Sequence, residues 1–325
     1  MGGASEETQM PTQTQIRDDV TARIVVALES NLLPWRRPWR TTASVSQPGR
    51  HSNVTSRKPY NGVNPLLLEL HALRLGLLSR WWGTFPMWKS LGCNIRKRPP
   101  EVEEGCWGAR IVFWKPLTKT VVDEEGNEED EQLFCLRTFN VFNADQVTGE
   151  AAEQYQVHEE AGQPLAEPDF QPAEELIAAT KADIRFGGNR AYYSRPLPTG
   201  TFPNHIAGDF IVLPPKATFD PPGSFYETAV HELAHWSEVR TGWDYEKQGY
   251  ALGELAAEIA SCYVAAELGI PQGEGLGNHA AYLKSWLEAL KNDRNWIFKA
   301  AKQAGKATDF LLAFVGEPEA VGAAQ

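Results

Sequence analysis

No two cysteines in this 325-residue chain stand in a CxxC spacing. The four present, Cys93, Cys106, Cys135 and Cys262, are scattered, which argues against a disulfide scaffold and a zinc ribbon and points to a reducing compartment. No run of about 18 uncharged apolar residues occurs, so no membrane span is expected. The opening residues, MGGASEETQMPTQTQ, have neither a basic segment nor an apolar one, and a cytoplasmic location follows as an expectation. There is no internal repeat, no Cys/His finger and no long basic helix, which argues against reading duplex DNA through the major groove.

What is present is 42% apolar content, enough to rule out wholesale disorder, in a length that suits two domains. The formal charge of -11 is divided unevenly. Residues 1–122 contain 17 Lys and Arg against 9 Asp and Glu, a balance of +8, which leaves 14 against 33, or -19, for residues 123–325. The first half therefore attracts a polyanion and the second repels one. Much of the swing lies in residues 123–131, DEEGNEEDE, read as a solvated hairpin tip because apolar β-type runs flank it.

Apolar residues at helical spacing predict a helix from Gln15 to about Asn31, a second from Pro65 to Leu78 and a short one from Phe85 to Leu91. Two or three strands are expected between Asn94 and Val141. After a Glu/Gln/Ala/Pro-rich stretch, a helix near Glu174–Ala182 leads to short strands at Asp183–Phe186, Ala191–Ser194 and Asp209–Leu213. Helices then follow at Pro221–Thr241, Tyr245–Leu268, Asn278–Lys291 and Asn295–Ala304. Both halves are α+β. The expected division is a disordered tail over 1–14, a first domain over 15–146, a linker over 147–172 and a second domain over 173–325.

The chemistry centres on His231-Glu232-Leu233-Ala234-His235, an HExxH sequence within an amphipathic helix. At about 100° per residue, positions i and i+4 lie about 40° apart, so both imidazoles leave one face and can share an ion. Glu232 is the candidate general base toward water in an open coordination position. Eighteen residues separate His235 from Glu254, which resembles the HExxH-x18-E arrangement of gluzincin metallopeptidases and makes Glu254 the third ligand. Glu258, one turn on, is placed to hydrogen-bond a ligand imidazole. A swap of these two glutamates stays open. Zinc is expected from the ligand types, with manganese or cobalt able to occupy the same donors. Tyr192, Tyr193, Arg240 and Tyr250 are eligible to stabilise an oxyanion. His71 is read as core or edge, and His51, His158, His205 and His279 as surface or loop residues.

The basic half interleaves cations with aromatic rings, as single-stranded nucleic acid requires for phosphate contact and base stacking. Candidate contacts are Trp35, Arg36, Arg37, Trp39 and Arg40, then Arg57, Lys58 and Tyr60, then Arg80 and Trp81, and finally Arg96 and Lys97.

Taken in order, LLPWRRPW (32–39), SRKPYNGVNPLLL (56–68), RWWGTF (80–85), VFNADQ (141–146), DFIVLPP (209–215), HELAHWS (231–237) and YALGELAAEIAS (250–261) resemble the ArdC-type antirestriction proteins and the related TraC-type plasmid primases. The resemblance implies an N-terminal domain that binds single-stranded DNA and a C-terminal zincin-like metallopeptidase domain, similar in plan to SprT-type proteases. It carries the motif roles to His231, Glu232, His235 and Glu254. The sequence departs from the family at Gly253, where relatives often have a further Glu, in the acidic insertion at 123–131 and in its few basic residues beyond 122. The implied setting is a plasmid, phage or other mobile element. The implied activity is peptide hydrolysis at proteins near DNA, with the protein substrate unknown; the alternative is a non-catalytic protein that covers DNA and holds zinc structurally.

Overall fold

Thr12 caps the first helix, α1 (Gln13–Glu29): its hydroxyl accepts the Gln15 amide at 3.2 Å, and the Gln15 side chain accepts the Thr12 amide at 2.8 Å. The helix thus begins inside the segment expected to be a disordered tail. The computed structural model describes residues 11–36, 49–122, 128–157, 170–196, 208–270 and 280–316, and within these the side chains of 116–134 and 280–281 are left aside.

In the N-terminal half, β1 (Ser52–Asn53), α2 (Asn64–Leu75), β2 (Trp81–Gly83), α3 (Phe85–Ser90) and β3 (Asn94–Ile95) precede a long hairpin of β4 (Ala109–Val122) and β5 (Glu128–Asn143). Its strands run in unbroken register from Ala109↔Val141 to Val122↔Glu128. Of the acidic tip expected at 123–131, residues 128–131 instead pair as strand in β5, and 123–127 lie outside the described residues. The sheet order is β1-β2-β5-β4, and β3 pairs with β6 (Val147–Thr148). The short strand β2 was not expected. Trp81 and Trp82 belong to a buried strand, and the indole N–H of Trp82 donates to His51 at 2.9 Å. His51 is correspondingly buried, its Nε2 2.8 Å from Glu69, against its reading as a surface residue. The linker expected from residue 147 starts later: Val147, Ala152 and Tyr155 pack with Trp81 and Trp88. Residues 158–169 are not among those described.

In the C-terminal half, α4 (Gln171–Thr180) leads into a three-stranded sheet of β7 (Asp183–Phe186), β8 (Tyr192–Ser194) and β9 (Phe210–Leu213), in the order β7-β9-β8. Five helices follow: α5 (Gly223–Arg240), α6 (Tyr245–Gln248), α7 (Tyr250–Leu268), α8 (Ala280–Asn292) and α9 (Trp296–Leu312). The single helix expected over 245–268 breaks at Gly249, whose φ of 82° is costly for any residue with a Cβ. Helix α7 is buried on nearly every side. Alanines at 256, 257, 260, 265 and 266 let neighbouring helices approach it closely.

One core joins the halves. Ile16, Val20, Ile24 and Leu28 of α1, with Leu66 and Leu67 of α2, pack in the same cluster as Leu255, Ile259, Trp286 and Ile297. Polar ties line its edge, with Thr21 donating to the Arg294 carbonyl at 3.0 Å and Lys291 meeting Glu29 at 2.6 Å. Among the described residues, no helix is long and apolar enough to cross a membrane.

Candidate metal centre

Helix α5 presents His231 and His235 one turn apart, and α7 crosses it with Glu254 opposite. The two Nε2 atoms are 3.2 Å apart. Glu254 Oε2 lies 3.7 Å from His231 Nε2, and its Oε1 lies 3.4 Å from His235 Nε2. Bonds of about 2.0–2.2 Å at tetrahedral angles separate donor atoms by roughly 3.3–3.5 Å, so this triangle has the edges that one divalent ion requires. Among the described residues, His231, His235 and Glu254 are the group able to share one ion.

The far nitrogens of both rings face carboxylates. Glu258 Oε2 lies 3.7 Å from His231 Nδ1, and Glu238 Oε1 lies 2.8 Å from His235 Nδ1. The geometry therefore separates the two α7 glutamates, with Glu254 on the donor side of the imidazoles and Glu258 behind one of them. Glu238 was missed in the sequence. Its signal was the i+3 spacing from His235, which puts both on one helix face. Behind each carboxylate stands an arginine: Arg36 Nε donates to Glu258 Oε1 at 3.2 Å, and Arg195 pairs with Glu238. Replacing Glu238 with Ala is expected to lower divalent-ion affinity about 10–100-fold by freeing the His235 ring, measurable by chelator competition.

Charge in this cluster follows from the packing. Burial opposes protonation of His231, but Glu254, Glu258 and Glu232 outweigh it and raise the imidazole to about 10. His235 is raised against burial by Glu238 and Glu254. Burial also disfavours ionisation of Glu254, yet the two imidazoles facing it hold it well below the usual carboxylate range. Glu232 goes the other way: burial lifts it, against the lowering influence of the His231 and His235 imidazoles. A set of two imidazoles and a carboxylate largely shielded from water suits a divalent-metal site.

Of the four residues eligible to stabilise an oxyanion, two are engaged with Asp209. The Tyr193 hydroxyl donates to it at 2.9 Å and Arg240 at 2.8 Å. Tyr192 is exposed on β8. Tyr250 stands one helical turn before Glu254 and interacts with its carboxylate, and its hydroxyl is 2.8 Å from that of Tyr282.

Residues 14–142 match the family of the N-terminal domain of anti-restriction factor ArdC, and residues 171–303 match the zincin-like metallopeptidase family MPTase-PolyVal. The metal-free crystal structure of the antirestriction protein ArdC from plasmid R388 aligns over 92% of this chain and 97% of that one, at 33% identity and a TM-score of 0.69. The chain belongs to the ArdC antirestriction family. The Mn(II)-bound structure of R388 ArdC aligns over 93% of this chain and 98% of that one, at 31% identity and a TM-score of 0.64. The uncharacterised protein y4eC of Sinorhizobium fredii (strain NBRC 101917 / NGR234) is 32% identical over 314 residues, 93% of either chain. Two DNA primases TraC of Escherichia coli are 33% and 29% identical over 91% and 95% of this chain, which spans 27% and 20% of their length. The zincin-like domain of the ArdC family implies a metal, and the triangle above fits one.

The candidate nucleic-acid residues of this ArdC family member fall into three groups. Trp35 and Arg36 turn inward, against expectation. Trp35 is 4% exposed and meets Trp286 edge to face at 5.8 Å, so it has no free ring face for a base. Arg36 is spent on Glu258 and on Glu227, 3.6 Å from its Nη2. Trp81 is likewise a core residue, capped by Arg80 at 4.4 Å and Arg57 at 5.1 Å, so neither its ring nor Arg80 serves as an open stacking pair. Tyr60 is half-buried, its hydroxyl accepting from Asn53 at 3.3 Å.

Arg57, Lys58, Arg96 and Lys97 are exposed. Arg57 donates to the Tyr155 hydroxyl at 2.7 Å and Arg96 to the Val147 carbonyl at 3.1 Å, so the two basic segments rim one buried cluster. Arg37, Trp39 and Arg40 lie outside the described residues. Missed in the sequence were Phe113 and Phe139, 54% and 45% exposed and edge to face at 6.2 Å on one face of the hairpin. Arg137 sits opposite Phe113 in register.

Proposed function

We propose that this protein is an antirestriction factor that holds single-stranded DNA with its N-terminal half and hydrolyses peptide bonds of proteins near that DNA at a zinc site. The observation that carries the reading is the donor triangle of His231, His235 and Glu254 with Glu232 buried beside it, since a purely structural ion has no use for a fourth, proton-accepting carboxyl. Zinc is favoured by two imidazoles and one carboxylate; the Mn(II) of R388 ArdC makes manganese the alternative ion.

Such an ion, when bound, supplies Lewis acidity toward a carbonyl oxygen and lowers the pKa of water toward about 7. The chain supplies the rest. Glu232 accepts the proton of the attacking water and returns it to the departing amine. Tyr250, beside Glu254, is positioned to donate to a developing oxyanion. Among the described residues strand β8 lies at a sheet edge, a place suited to pairing with an extended peptide.

For DNA, Arg57, Lys58, Arg96 and Lys97 supply phosphate contacts, and the Phe113–Phe139 pair supplies exposed rings for bases. Proteolysis and oligonucleotide binding, measured side by side with and without a chelator, test the reading. Chelation is expected to abolish cleavage and leave oligonucleotide binding intact, with binding that weakens steeply as salt rises. Cleavage that survives chelation, or binding indifferent to salt, sinks the corresponding half of the proposal.

A further inference from the structure

Arg36 has the composition and setting of a phosphate contact, standing in a Trp/Arg-rich segment of the basic half, yet the fold carries it elsewhere. After α1 the chain turns at Leu33–Arg36, the Arg36 amide donating to the Leu33 carbonyl at 3.1 Å. Trp35, wedged against Trp286 of α8, fixes that turn to the C-terminal half. The neighbouring guanidinium is thereby delivered to the back of the metal centre. Its Nε donates to Glu258 Oε1, and the other oxygen of the same carboxylate faces His231 Nδ1 at 3.7 Å. Glu258 is 3% exposed and the Arg36 side chain 15%, so water does little of the orienting. On the other ligand an equivalent chain runs Arg195, Glu238, His235. Two imidazoles are thus each backed by a carboxylate, and each carboxylate by an arginine from outside the two ligand helices.

We infer that Arg36 is a positioning residue of the metal centre: acting through Glu258 it orients His231, so that ion affinity in the C-terminal half depends on a side chain of the N-terminal half. This rests on the reading of His231, His235 and Glu254 as metal ligands. A carboxylate behind a ligand imidazole fixes the ring's tautomer and direction, and it can do so only while its own direction is fixed. The guanidinium is a planar fork of donors suited to that task, and a lysine is not its equal.

The test is a competition titration of the full-length chain with Zn2+, and with Co2+ read by its visible absorption, on wild type, Arg36→Met, Arg36→Lys, Glu258→Gln and the Arg36→Met/Glu258→Gln double variant. Oligonucleotide binding and urea unfolding are recorded for each. Arg36→Met is expected to weaken Zn2+ binding about 10–100-fold and to alter the Co2+ spectrum, with oligonucleotide affinity unchanged. Arg36→Lys should fall between it and wild type, and it keeps the test decisive if the Met variant does not fold. In the Glu258→Gln background the Met substitution should cost little more, because the two residues act in series. Wild-type ion affinity in both Arg36 variants overturns the inference. So does an equal loss with and without Glu258, which marks a merely structural role, or a loss of oligonucleotide binding with ion affinity intact. If wild type itself binds no divalent ion, it is the metal-centre reading that fails.

Discussion

Glu232→Gln is expected to lower peptide hydrolysis by about 10²–10⁴-fold while the chain keeps its full complement of divalent ion. The amide has the shape of the carboxylate, so packing in this buried position is undisturbed. The group able to share an ion is His231, His235 and Glu254, and Glu232 is not part of it. What is lost is the capacity to take a proton. The loss belongs in kcat rather than KM, because that proton is transferred only on the way to the transition state. Metal analysis of the purified variant, beside its kinetics on a protein that wild type cleaves, decides the matter. Undiminished cleavage removes Glu232 from the mechanism, and a variant that arrives without its ion shows the residue to be part of the ion's support instead.

Trp35→Ala is expected to destabilise the chain by about 3–5 kcal/mol, the ordinary consequence of emptying a large buried aromatic site. The indole packs on Trp286 and shares a small cavity with Pro34, Tyr263 and Ala266. Among the described residues its N–H has no partner, which takes something from the value of the contact. Urea unfolding measures the loss. Oligonucleotide affinity of the molecules that remain folded should match wild type. The opposite pattern, unchanged stability with weakened binding, would return Trp35 to the DNA surface from which its burial removes it.

That reversal shows where a sequence stops being informative. Tryptophan and arginine serve a nucleic-acid surface and a buried interface equally well, and the segment 33–36 shows no periodicity to say which. The same holds for β4, where Ile111, Val112, Phe113 and Trp114 form a continuous apolar run. Without alternation, nothing marks Phe113 and Trp114 as the exposed members. The HELAH helix was legible because amphipathic spacing and ligand spacing coincide on one face. The pair on α7 was only half legible: Glu254 and Glu258 are one turn apart, so helical geometry puts both beside the ligands. Only the crossing of α7 over α5 separates the one facing Nε2 from the one facing Nδ1. The strand at Trp81–Gly83 was hidden by its length, since three residues carry no detectable period. His51 was misjudged because its partners, Glu69 and Trp82, are 18 and 31 positions away.

The packing of α1 and α2 into the same cluster as α7, α8 and α9 has a thermodynamic meaning. A chain whose two family segments each owned a separate core would melt in two events, one for each. Here the apolar faces of Leu255, Ile259 and Trp286 are shielded from water by α1 residues more than two hundred positions earlier and by α2. Removing either segment would leave the other with a greasy, sticky surface rather than a finished wall. Heat or urea is accordingly expected to act on the molecule as one cooperative body, and the stability of the zincin-like half is a property of the whole.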